Sequence, residues 1–163
     1  MLDYLGIFKG LNSRKINYIV VGGLAINLYG IPRMTYDIDL LIDFNEANIE
    51  KFSLLMNSWG FKPKAPVNIL GLADPQKRLL WIRQKNMKAF NLVNPSWALS
   101  ELDILIDTPV DYDTAKHTAN KISIKGTSIP VISIDNLIKM KRVSGRKQDK
   151  LDIQNLKKQS HAK

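Results

Sequence analysis

The chain has no cysteine among its 163 residues and only two histidines. The first absence excludes a disulfide scaffold, thiolate zinc sites and a cysteine nucleophile, and it suits a reducing compartment. His117 and His161 have no partners at metal-ligand spacing, so they predict exposed positions rather than a metal centre. Long apolar runs are missing too. The longest, residues 19–31, is too short to span a bilayer and is broken by Gly22, Gly23 and Gly30. No basic-then-apolar segment opens the chain, which predicts a cytoplasmic protein with no membrane partner. Carboxylates are scarce relative to cations, 15 Asp and Glu against 24 Lys and Arg.

What remains is an ordinary globular composition, 45% hydrophobic and 24% charged, of a size that predicts a single domain over 1–163. The net charge of +9 is unevenly spread. Residues 139–163 carry nine Lys and Arg against Asp149 and Asp152, a net +7, leaving +2 for the rest. A basic end on a near-neutral body predicts a polyanionic partner, nucleotide phosphates or nucleic acid, unless it is simply solvated.

Periodicity predicts a helix over 2–14, a buried strand over 16–21, a short helix over 24–29, an alternating strand over 36–43 and a helix over 45–59. Prolines break up 60–100, where 79–83 and 89–93 read as strands and Trp81 and Trp97 as packing residues. A second alternating strand follows over 101–107. A hairpin joined at Gly126-Thr127 comes next, then helices over 134–143 and 146–159 separated by Gly145. The fold class is α/β (α+β): a mixed sheet flanked by helices, with a core over 1–133 and a basic helical segment over 134–163.

Alternation places Ile38, Leu40 and Ile42 on one face of the first acidic strand, together with Tyr36, and Asp37, Asp39, Leu41 and Asp43 on the other. Asp37 and Asp39 then lie about 7 Å apart along the strand. Adjacent carboxylates repel unless a cation lies between them, and a pair of divalent ions ~3.5–4 Å apart would satisfy both. The second strand repeats the pattern with Glu101, Asp103, Leu105 and Asp107. Pairing the two strands would bring Asp103 beside Asp37 and Asp39 as a three-carboxylate cluster. Two ordinary edge strands with solvated faces are the alternative. Gly22-Gly23, at the end of an apolar strand, lets backbone N–H groups approach a phosphate, and this turn followed by Asp-x-Asp is what nucleotidyl transfer requires. Asp43 and Asp107 read as solvated or capping residues, and Asp149 and Asp152 as i+3/i+4 partners of their own basic helix.

Val20-Val21-Gly22-Gly23, thirteen residues, then Asp37-Ile38-Asp39-Leu40 resembles the signature of the DNA polymerase β-like nucleotidyltransferase superfamily. With Arg33-Met34-Thr35-Tyr36 included, it is similar to the minimal nucleotidyltransferases, among them the abortive-infection toxins. Residues 135–141 followed by Gly145-Arg146-Lys147 resemble their C-terminal helical segment. The resemblance implies Asp37, Asp39 and Asp103 as catalytic ligands of two Mg²⁺ (or Mn²⁺) ions, with Asp103 also helping to deprotonate an acceptor hydroxyl. It implies Gly22, Gly23, Arg33, Thr35 and Lys141 as the NTP site. The acceptor stays open between RNA, a protein hydroxyl and a small molecule such as an antibiotic. A toxin setting would add an antitoxin partner. The rival reading is a non-catalytic nucleic-acid or protein-binding module on the same fold.

Overall fold

The structure is a computed structural model that describes residues 3–97 and 101–162. Asp3 caps the first helix, α1 (Tyr4–Ser13), by accepting from the Gly6 amide at 2.7 Å, and Ile7, Phe8 and Leu11 turn inward. The start of the predicted 2–14 helix, at Leu2, lies outside the described residues. The apolar run that follows forms β1 (Tyr18–Val21), buried throughout. Gly22, in the left-handed region at φ +70°, turns it into α2 (Gly22–Leu28).

The chain returns as β2 (Ile38–Ile42), shorter than the alternation predicted. Tyr36, expected on the core face, lies before the strand and is 57% exposed. α3 (Glu46–Trp59) starts at the Asn45 cap and stops at Gly60, again left-handed. β3 (Lys62–Pro63) and a 3-10 turn (Ile69–Ala73) lead to α4 (Pro75–Lys85).

Here the expected strand over 79–83 is a helix. A short apolar run does not by itself distinguish the two. Asp74 accepts from the Gln76 and Lys77 amides, Pro75 occupies the first helical position, and Asn86 ends the helix in the left-handed region. Only Trp81 of α4 is buried.

β4 (Ala89–Val93) and β5 (Leu102–Leu105) complete the central strands; the second ends before Asp107. After α5 (Tyr112–Ala115), β6 (Asn120–Ile124) and β7 (Thr127–Val131) form a hairpin. Its turn is Lys125-Gly126, both at positive φ, one residue earlier than predicted. Ser133 caps α6 (Ile134–Ser144), and left-handed Gly145 separates it from α7 (Lys147–His161).

Among the described residues seven strands form one mixed sheet in the order β3-β4-β5-β2-β1-β7-β6. β2 runs parallel to β5 and β1 parallel to β7; the other pairs are antiparallel. Helices flank this sheet and two close the chain, as the sequence predicts. Its core is a cluster of buried apolar residues from Ile7 to Leu156. Among the described residues no helix is long and apolar enough to cross a membrane.

Candidate active site

The parallel pairing of β2 with β5 sets the geometry. Its register matches Ile38 with Leu102, Asp39 with Asp103 and Leu40 with Ile104. The four apolar members are fully buried, so a one-residue slip would push them out of the core. That constraint places Asp39 and Asp103 side by side on the opposite face. Leu41 shares that face and is 2% exposed, which leaves only its leading end open.

Asp37, just before β2, lines the same cleft as Asp39, Asp103 and Gly22. The cleft is about 640 Å³, and α6 and the start of α7 form its far wall through Met140, Lys141, Arg146 and Asp149. Lys88 and Asp107 stand at its rim, paired at 2.8 Å. Gly23, Arg33 and Thr35 do not line it. They lie behind the glycine turn, where a Cβ on Gly23 would strike the Arg33 guanidinium and the Thr35 side chain. At Gly22 a Cβ would strike the Asp39 carboxylate.

The two facing carboxyls are unusually basic. Burial pushes Asp103 up to about 7, aided by the charges of Asp39, Glu101 and Asp37 and opposed by a hydrogen bond from Asn91. Asn91 Nδ2 donates to Asp103 Oδ1 at 2.8 Å from the matching register position on β4. Asp39 rises to about 6, by burial first and then by the Asp37 charge. Lys141, a hydrogen bond with Asp103, and Arg146 pull it back.

Desolvated carboxylates that repel one another favour a proton or a cation, and all three donors are the hard oxygens that Mg²⁺ prefers. The donor set therefore suits a divalent ion. The expected cluster is nonetheless not preformed: among the described residues no three carboxylate or imidazole groups converge closely enough to hold a metal. The structure pairs Asp39 with Asp103 and leaves Asp37 at the strand's leading end.

Lys141 is 6% exposed, an unusual burial for a lysine. Its Nζ lies 2.9 Å from Asp152 and 3.3 Å from Asp149. Asp149 pairs with Arg146 three residues earlier, as the sequence predicts. Asp152 instead binds cations from other elements, Lys141 and Arg33, each about 3 Å away. A carboxylate buried on a helix seeks charge wherever the fold supplies it, and the cations of its own helix point to solvent. Burial alone would raise both carboxyls. Hydrogen bonds and neighbouring cations outweigh it, holding Asp149 at about 2 and Asp152 below the usual range. Asp43 accepts from the Asn45 amide, and both histidines are exposed.

Sequence reasoning overlooked Asn91 and the inward face of α7. A lone amide alternating with buried Phe90 and Leu92 was the available signal for Asn91, and two carboxylates three apart on a basic helix was the signal for α7.

Residues 4–156 match the family described as aminoglycoside-2''-adenylyltransferase. No curated protein matches the sequence. Solved structures resemble the fold at low identity. A lincosamide antibiotic adenylyltransferase, LnuA, bound to lincomycin, is 19% identical with a TM-score of 0.60, covering 93% of this chain and 92% of that one. An antigenic nucleotidyltransferase-like protein from Paracoccidioides brasiliensis is 20% identical with a TM-score of 0.57, covering 95% and 72%. ANT(2'')-Ia, in complex with adenylyl-2''-tobramycin, is 11% identical with a TM-score of 0.55, covering 92% and 83%. None of these findings points to the toxin branch or to an antitoxin.

Proposed function

The chain belongs to the aminoglycoside-2''-adenylyltransferase family and is a nucleotidyltransferase; from that premise we propose that it transfers the AMP moiety of ATP to a hydroxyl of a small cationic acceptor of the aminoglycoside type. The observation that carries this reading is the β2–β5 register, which sets Asp39 beside Asp103 in the cleft that Asp37 also lines.

Asp37, Asp39 and Asp103 would hold Mg²⁺, or Mn²⁺ with the same oxygen donors, and the ion when bound supplies positive charge to the phosphates and the attacking oxygen. The rest of the chemistry belongs to the chain. Asp103, with one oxygen engaged by Asn91, accepts the proton of the acceptor hydroxyl. The hydroxyl oxygen forms a bond to the α-phosphorus, the bond to the bridging oxygen breaks, and pyrophosphate leaves. Lys141 and Arg146, on the facing wall, stabilise the charge that develops on it. Gly22, with no Cβ, leaves room for the Asp39 carboxylate against the turn. The family that residues 4–156 match supports an acceptor of the aminoglycoside type.

The test pairs each α-labelled NTP with Mg²⁺ and, in parallel, an aminoglycoside, a lincosamide and total RNA. Expected is an adenylylated aminoglycoside, formed from ATP and lost on adding EDTA. Labelled RNA would relocate the acceptor to nucleic acid. No product from any combination, together with no metal-dependent nucleotide binding, would overturn the reading.

A further inference from the structure

Two cations from distant parts of the chain meet on one carboxylate. Asp152 is 2% exposed and lies on the inward side of α7. Arg33 Nε reaches both of its oxygens at 3.1 Å, Lys141 Nζ reaches Oδ2 at 2.9 Å, and Gln148 Nε2 reaches Oδ1 at 3.0 Å. Arg33 belongs to the segment between α2 and β2, four residues before Asp37. It is held at its other end as well, since its backbone N–H donates to Asn27 Oδ1 of α2 at 2.9 Å. Its guanidinium lies against Gly23. Asp149, by contrast, shares Lys141 and takes Arg146 as its second cation.

We propose that Asp152 is a positioning residue for the nucleotide: by holding Lys141 and Arg33 on one carboxylate it fixes the α6–α7 wall of the cleft against the glycine turn and the lead-in to Asp37. The inference rests on the nucleotidyl-transfer reading. A lysine ammonium on a four-carbon stem loses substantial rotamer entropy when it orders on a ligand. At Lys141 that cost is met during folding, because two buried carboxylates have already selected one conformation. The nucleotide then meets two walls at a set spacing.

Charge and positioning make opposite predictions here. Asp152 is an anion close to a site for a polyanion. If charge alone mattered, Asp152→Asn would raise the local positive potential and tighten ATP binding. If positioning dominates, the same substitution frees Arg33 and loosens Lys141, and binding weakens.

The experiment measures the Kd of a non-hydrolysable ATP analogue with Mg²⁺ by calorimetry, with KM and kcat for ATP, for wild type, Asp152→Asn, Arg33→Gln and the double variant. Expected is a rise of about tenfold in Kd and KM for each single variant, with kcat far less affected. The double variant should be little worse than either single one, because both remove the same link. Should Asp152→Asn not fold, Asp152→Glu keeps the charge and shifts the carboxylate by one methylene, and it should weaken binding in the same way. Unchanged or tighter binding by the Asp152 variant, or losses that simply add in the double, would overturn the proposal while wild type still binds ATP. Wild type that binds no ATP would instead overturn the nucleotidyl-transfer reading beneath it.

Discussion

Asp39 is held where a carboxylate is poorly solvated and faces two others, and this has opposite consequences for folding and for function. Its raised pKa means that the fold works against its charge. Asp39→Ala should therefore abolish nucleotidyl transfer while leaving the melting temperature of the metal-free protein at or above that of wild type. Differential scanning fluorimetry beside the transfer assay checks both halves, and a variant that unfolds would make the residue structural. Gly22 is the converse case. Its φ of +70° disfavours any side chain, and a Cβ would enter the space of the Asp39 carboxylate. Gly22→Ala should cost on the order of 1–3 kcal/mol of stability and should displace Asp39, so chemical denaturation and activity fall together. The two substitutions touch the same carboxylate and differ in sign for stability.

α6 and α7 are joined by charge across their inner faces, with Gly145 turning the chain between them. Asp149 is fully buried there and held at about 2, because its hydrogen bonds to Ser144 and Arg146 and the Lys141 charge outweigh its desolvation. A carboxyl whose folded pKa lies below its unfolded value of 3.8 adds stability above that value and loses it as pH falls toward the folded one. The melting temperature should thus drop between about pH 4 and pH 2, and Asp149→Asn should flatten that segment of the curve. The same variant at neutral pH should lose about 2–3 kcal/mol, since it removes one of the two carboxylates that hold Lys141. Elements with a strong period were legible in the sequence: α3, β2 and α6 carry their pattern and caps in their own residues. The pairing of β2 with β5 was legible only as one option beside two separate edge strands, because a shared alternation phase fixes neither the strand direction nor a slip of two residues. α4 was not, since the apolar run 79–83 fits either element and only the Asp74-Pro75 start and Asn86 stop decide it. Nor were the partners of Asp152, because a contact spanning 119 residues between Arg33 and α7 leaves no local trace. Lys141 read as a phosphate ligand without any sign that two carboxylates would hold it.

Across the whole molecule the basic excess divides into two roles. Of the net +7 in residues 139–163, Lys141 is buried and paired with Asp149 and Asp152, so its charge acts at the cleft it lines and adds little to a wider surface field. Arg146 is exposed at the cleft wall. Lys157 and Lys158 are exposed about 17 Å further along α7 at the standard rise per residue. That separation exceeds the Debye length of about 8 Å at physiological ionic strength, so the distant pair contributes little at the triphosphate. Arg146→Gln should therefore raise KM for ATP several-fold, by an amount that shrinks as salt increases, whereas Lys157→Gln with Lys158→Gln should leave KM unchanged. If the distant pair instead controls KM, or if the protein binds RNA in a salt-sensitive way that is indifferent to EDTA and to loss of Asp37, the basic end serves a polyanion surface rather than the cleft. Steady-state kinetics at two ionic strengths, beside a filter-binding assay with RNA, separates those outcomes, because only the cleft reading ties the effect of charge to its distance from Asp39.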